Sequence, residues 1–159
     1  MPRSTGSITL IAVGKLRANH YKLAQDEYLK RLKRYTNFEL VQVKDIVGSS
    51  IPDAVAKQRE GQALVAAAAN ARRTFAFCPT GKLMNSRQFA SFVQKQIDVY
   101  QKLAFLIGGP LGFSPEALAS CDGQLSLSPL TFPHELARVV VLEQLYRAFT
   151  IINRENYHK

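Results

Sequence analysis

Residues 103–107, Leu103-Ala104-Phe105-Leu106-Ile107, run without a polar break and end in Gly108-Gly109-Pro110-Leu111-Gly112. An uninterrupted apolar strand is one covered on both faces, so it belongs inside a parallel sheet with helices on each side. Its glycine-rich end marks a sharp turn at the carboxyl edge of that sheet, where such folds place ligand loops. The periodicities of the rest of the chain agree. Ile8-Thr9-Leu10-Ile11-Ala12-Val13 is a buried strand that stops at Gly14, and residues 38–46 alternate apolar and polar as a half-buried one. Thr74-Phe75-Ala76-Phe77-Cys78 is a further strand, closed by Pro79-Thr80-Gly81-Lys82. Between these strands, Tyr21, Ala24, Tyr28, Leu32 and Tyr35 recur at three- and four-residue steps, the spacing of an amphipathic helix. A second helix opens at Ile51-Pro52-Asp53 and reaches about residue 71, and Ser86 caps a third that carries Phe89, Phe92, Val93 and Ile97. A short helix from Ser114, a small strand over 124–128 and a long helix from Pro133 to about residue 152 complete the chain. This alternation predicts one α/β domain with a mainly parallel sheet over residues 8–159, after a flexible lead-in over residues 1–7.

A chain of 159 residues with 47% hydrophobic and 21% charged residues can bury a full core, which excludes disordered and fibrous classes. No apolar run approaches the roughly 18 to 20 residues of a membrane span, and the polar start predicts no export signal. Cys78 and Cys121 stand far apart without a CxxC pattern, so they are expected as reduced, structural thiols in a cytoplasmic protein, with no metal. The net charge of +9 suits a polyanionic partner, with nucleic acid preferred over solubility alone as its explanation.

The glycine loop is not a dinucleotide fingerprint, because Pro110 and Phe113 occupy the second and third glycine positions, and no GK[ST] follows. A second loop, Ser126-Leu127-Ser128-Pro129-Leu130-Thr131-Phe132-Pro133-His134, is stiffened by two prolines. Its backbone groups and apolar side chains could receive a purine, although an ordinary helix start explains it as well. His134 reads as a proton shuttle, an RNA contact or a histidine bonded to the preceding loop. Glu143 and Arg147 form an i,i+4 pair, and Arg138, Tyr146 and Arg147 could project cations and a ring from neighbouring turns. The tail around Tyr157, His158 and Lys159 could bind phosphate and stack a base, or simply fray.

Taken together, the order and spacing of Leu106-Ile107-Gly108-Gly109-Pro110-Leu111-Gly112, Leu127-Ser128-Pro129-Leu130-Thr131-Phe132-Pro133-His134, Glu143-Gln144-Leu145-Tyr146-Arg147-Ala148 and terminal Tyr157-His158-Lys159 resemble the RlmH family of SPOUT-class methyltransferases. The resemblance covers about residues 8–159 and is strongest after residue 103. It implies a C-terminal trefoil knot, S-adenosylmethionine (SAM) bound between the knotted loops, and a homodimer with its sites near the interface. It also implies a substrate: N3 of a pseudouridine in the helix 69 loop of large-subunit ribosomal RNA, within the assembled ribosome. By carry-over, Phe77, Gly108, Gly109, Leu127, Ser128, Pro129, Leu130, Thr131 and Phe132 line the SAM pocket. Arg147 and His158 are the expected catalytic groups, with His134 as an alternative proton acceptor. Arg138, Tyr146, Tyr157 and Lys159 are the expected RNA contacts. The chain departs from the family at Leu111, where an acidic residue is common, and around Cys78. The rival readings are a non-catalytic RNA-binding or ribosome-assembly protein and a SPOUT enzyme acting on transfer RNA.

Overall fold

The computed structural model describes residues 4–46, 48 and 50–159. Five strands, β1 (Ser7–Val13), β2 (Asn37–Val43), β3 (Arg73–Leu83), β4 (Lys102–Ile107) and β5 (Gly123–Ser126), form one sheet in the order β2-β1-β4-β3-β5. Every neighbouring pair in it is parallel. Helices α1 (Asn19–Leu32), α2 (Asp53–Ala67), α3 (Ser86–Tyr100), α4 (Pro115–Ala119) and α5 (His134–Ile152) connect and follow the strands.

The expected central strand is β4, and its side chains explain its composition. Leu103, Phe105 and Ile107 enter a core shared with α1, α3 and α5, whereas Ala104 and Leu106 enter a second core beneath α2 and α4. Strand side chains alternate between faces, so a strand with a core on each side can carry no polar position. Each fully buried Leu, Ile or Phe here contributes roughly 1.5 to 3 kcal/mol relative to exposure. On the second face α2 lies close to α4, because a Cβ on Gly61 would come within 2.7 Å of Ser114 Oγ.

Several boundaries differ from the sequence expectation, β2 ending at Val43 rather than residue 46 and β5 at Ser126 rather than residue 128 among them. α1 ends at Leu32, and Tyr35 follows it in a turn yet stays buried. α2 stops at Ala67 rather than near residue 71. α3 is capped by Asn85, not Ser86: Asn85 Oδ1 accepts from Gln88 N at 2.9 Å and Gln88 Oε1 accepts from Asn85 N at 2.9 Å, a complete capping box. β3 does not end at Pro79 but continues to Leu83. Phe77 and Lys82 both lie opposite Leu125, so the residues between them bulge from the ladder, and Pro79 is tolerated where no ladder bond is needed. Of the lead-in, Ser4 N donates to Tyr35 O at 2.8 Å and Ser7 already belongs to β1, while residues 1–3 lie outside the described ones.

Gly81 closes that bulge. A Cβ there would lie 2.4 to 2.7 Å from backbone atoms of Leu125, closer than any real contact. Gly81→Ala is therefore expected to destabilise the domain by about 1 to 3 kcal/mol, the usual cost of overpacking against groups that cannot move aside. Chemical denaturation measures it, and an unchanged midpoint would rule the clash out.

Candidate functional site

At the carboxyl ends of β3 and β4 the sheet opens into a cavity of about 440 Å³, within the range of small-molecule sites. Its walls come from three segments: Phe77, Cys78 and Pro79 at the bulge, residues 107–113 after β4, and the loop before α5. Leu118, His134, Ala137 and Val141 close it. The loop after β4 is built on glycine for steric reasons. Gly112 N donates to Gly109 O at 2.9 Å across a tight turn, and Gly112 has φ +76°, a left-handed conformation that favours glycine. A Cβ on Gly108 would meet Gly112 C at 3.1 Å. The loop before α5 is fastened by Ser126, whose Oγ lies 3.1 Å from Pro79 O and 3.0 Å from Ser128 O, and by Leu130 N donating to Ser128 Oγ at 3.0 Å. Ser126 thus ties the bulge to the loop, a role that sequence spacing does not reveal.

A second group of polar side chains lies on α5 away from this cavity. Glu143 Oε1 accepts from Arg147 Nη2 at 2.6 Å, from Arg147 Nε at 3.1 Å and from the Tyr157 hydroxyl at 3.1 Å. Gln144 Nε2 donates to Glu143 Oε2 at 2.6 Å. The Arg147 guanidinium lies 4.9 Å over the Tyr157 ring, and Tyr157 packs edge-on to Tyr146 with ring centres 4.8 Å apart. On the other side of Tyr146, Arg31 stands 5.3 Å from the ring centre. Burial, reinforced by the bond to Glu143, pushes the Tyr157 hydroxyl up to about 12, so it stays protonated at neutral pH. The tail is anchored, not frayed. Arg154 turns it at φ 56°, Glu155 N donates to Thr150 O at 2.8 Å, and the Tyr35 hydroxyl donates to Glu155 Oε2 at 2.6 Å.

The family described as "Predicted SPOUT methyltransferase" matches residues 7–158. A protein of Anaeromyxobacter dehalogenans named ribosomal RNA large subunit methyltransferase H is 42% identical over 155 residues, covering 96% of this chain and 99% of its own. The protein of that name from Alkaliphilus oremlandii is 37% identical over 158 residues, with the same coverage of both chains. The chain belongs to the RlmH family of SPOUT methyltransferases. Among solved structures, a Bordetella pertussis Tohama I protein described as "Probable Methyltransferase" superposes with a TM-score of 0.59 at 17% identity, over 92% of this chain and 98% of its own. A Legionella pneumophila methyltransferase in complex with SAM gives a TM-score of 0.50 at 16% identity, over 92% of this chain and 68% of its own. Both likenesses are of fold.

Of the residues that the RlmH pattern marks for the cofactor, Phe77, Gly108, Gly109, Leu127, Ser128, Leu130, Thr131 and Phe132 all border the cavity. Pro129 is not among its lining residues; it sits exposed in the loop that Ser126 and Ser128 fasten. Arg138 requires a correction. It is 1% exposed, with Nη2 donating to Val13 O at 2.9 Å and Gly14 O at 2.8 Å, and Nη1 donating to Gln25 Oε1 at 3.4 Å. Nη2 is spent on the end of β1 and Nη1 on Gln25, so the buried Arg138 presents no cation to RNA. Arg147, Tyr146, Tyr157 and His158 do come together, whereas His134 lines the cavity and Lys159 ends the exposed tail. Arg147 follows Val141 by six residues and His134 by thirteen, about 9 to 20 Å of rise along α5 and roughly 80° to 140° around its axis from the cavity-lining residues. One protomer therefore holds its cavity and its tail cluster apart.

Proposed function

We propose that this RlmH-family chain is a SAM-dependent methyltransferase of large-subunit ribosomal RNA, acting on N3 of a pseudouridine in the helix 69 loop of the assembled ribosome. The cavity at the strand ends carries this reading, and the relatives named for that RNA support the substrate class. Its residues fit a nucleoside cofactor. Phe77, Leu127, Leu130 and Phe132 offer apolar surface to a purine, the backbone of 108–112 and 127–131 offers donors and acceptors at its edge, and glycine keeps that backbone close. The family pattern also implies a C-terminal trefoil knot.

Bound SAM supplies an electrophilic methyl group, taken by the N3 lone pair as the carbon–sulfur bond breaks with its electrons passing to sulfur. The protein's own contribution is alignment and stabilisation of the imide anion that N3 becomes when it loses its proton. Arg147 and the His158-Lys159 tail are the cations and donors for this, and Tyr146 and Tyr157 the rings against which a base can rest. Because the cluster faces a different side of α5 from the cavity-lining His134, Ala137 and Val141, the complete site combines the cavity of one protomer with the tail of its partner in a homodimer. Among the described residues no helix is long and apolar enough to cross a membrane and no group of three or more His, Cys, Asp or Glu side chains could hold a metal ion.

Incubation with methyl-labelled SAM and unmethylated ribosomes, beside separate subunits, naked ribosomal RNA and transfer RNA, tests the proposal. Label on one helix 69 pseudouridine in ribosomes is expected. Label on transfer RNA alone would replace the substrate, and no label together with no SAM binding would leave an RNA-binding module. In the same assay Arg147→Ala is expected to slow single-turnover methylation by about 10² to 10³, the usual loss when a donor to a developing anion is removed. Wild-type rates in Arg147→Ala, Tyr157→Phe and His158→Ala alike would discard this assignment of roles.

A further inference from the structure

We propose that Glu143 and Arg147 set the tautomer of His158, so that its Nε2–H faces substrate as a hydrogen-bond donor and the ring does not take the N3 proton. The contact that decides this is Arg147 Nη1 to His158 Nδ1 at 3.4 Å. A guanidinium has five N–H donors and no acceptor, so in this contact Arg147 donates and Nδ1 accepts. A neutral imidazole that accepts at Nδ1 carries its proton on Nε2. Its free edge then offers an N–H, whereas a base would have to offer a lone pair.

Arg147 is held for this purpose. Its Nε and Nη2 are both occupied by Glu143 Oε1, which also takes the Tyr157 hydroxyl, while Glu143 Oε2 is engaged by Gln144. Nη1, the guanidinium nitrogen not engaged by Glu143, turns toward the tail, and the tail that brings His158 to it is itself fixed by the Tyr35 to Glu155 bond. Glu143 is thus a positioning residue that acts through Arg147. The chemical consequence, which rests on the methyltransferase reading, is a division of labour. The imide proton leaves to water, and His158 Nε2–H and the Arg147 charge stabilise the resulting negative charge on the exocyclic oxygens.

The tautomer is read directly, with no substrate, by long-range proton–nitrogen correlation spectra of the full-length protein labelled with 15N-histidine. The three histidines, His20, His134 and His158, are told apart by single His→Gln variants. A pyridine-like Nδ1 and a pyrrole-like Nε2 are expected for His158. Glu143→Gln should blur that pattern toward a mixture of tautomers, and Glu143→Asp should restore part of it; a purely structural Glu143 would leave the His158 signals unchanged. Single-turnover methylation supplies the second arm. Glutamine places an amide donor where Nε2 stands and cannot accept a proton, so His158→Gln is expected to lose no more than about tenfold where His158→Ala loses about 10² or more. A pyrrole-like Nδ1 in the wild type, or His158→Gln as slow as His158→Ala, would overturn the assignment. Wild-type protein with the expected tautomer and no methylation of ribosomes would overturn the proposed function and leave the tautomer standing.

Discussion

Arg138→Ala is expected to destabilise the domain by about 2 to 5 kcal/mol, the cost of leaving two or three acceptors without their donor at about 1 to 3 kcal/mol each. At this chain length that corresponds to a fall in melting temperature on the order of 10 °C. The mechanism is specific. One nitrogen of the guanidinium serves two carbonyls, Val13 O and Gly14 O, where β1 ends. Gly14 turns there at φ +74° and its carbonyl has no strand partner to replace the lost donor, while Gln25, 6% exposed, loses the donor to its Oε1. A buried carbonyl left without a donor costs about 1 to 3 kcal/mol, which falls in full on Val13 O and in part on the half-buried Gly14 O. Arg138→Lys retains the charge but not the planar fork, so it should recover only part of the loss. Thermal unfolding monitored by circular dichroism measures the effect. An Arg138→Ala protein as stable as the wild type but weakened in RNA binding would reinstate the surface role that the sequence suggested.

Gly108→Leu should weaken SAM binding at least 100-fold, about 2.7 kcal/mol, measured by titration calorimetry. Its side chain has two ways to grow. One runs into the Gly112 backbone, 3.1 Å from the position of Cβ, and the other fills the cavity that Gly108 borders. Either removes the space required by a cofactor that must lie against the loop. Overpacking strain limits the accompanying stability loss to about 1 to 3 kcal/mol, so binding and folding can be separated. Retention of SAM affinity within a few-fold in a folded variant would move the cofactor site elsewhere.

Much of the fold was legible because its signals are local. The unbroken run at 103–107 marked β4 as central, and its alternate residues do divide between two cores. Pro133 and Ser114 stand as expected at helix starts, Ser114 accepting from Ala117 N. Of two misplaced boundaries, one is decided by a long-range contact and the other by a local bond. Pro79 reads as a strand breaker, yet β5 holds the chain in a bulge beyond it. Ser86 reads as a cap, yet Asn85 completes a reciprocal box with Gln88. The two loops that frame the cavity could be named from their glycine and proline content, although only the fold shows that Cys78, Leu118, Ala137 and Val141 complete the wall.

Arginine is where sequence and tertiary structure part most clearly. Arg138 and Arg147 lie on one helix, two and a half turns apart, in similar company. Sequence alone gives both the same charge and reach, and determines the α/β alternation, the ligand-bearing loops and the family, because these rest on patterns of neighbours along the chain. Only tertiary structure decides that Arg138 turns inward to the end of β1, while Arg147 is held by Glu143 beside Tyr157 and His158. Side chains on one helix differ by their angle about its axis and by what packs there, and the strand end that claims Arg138 lies more than a hundred residues away in sequence.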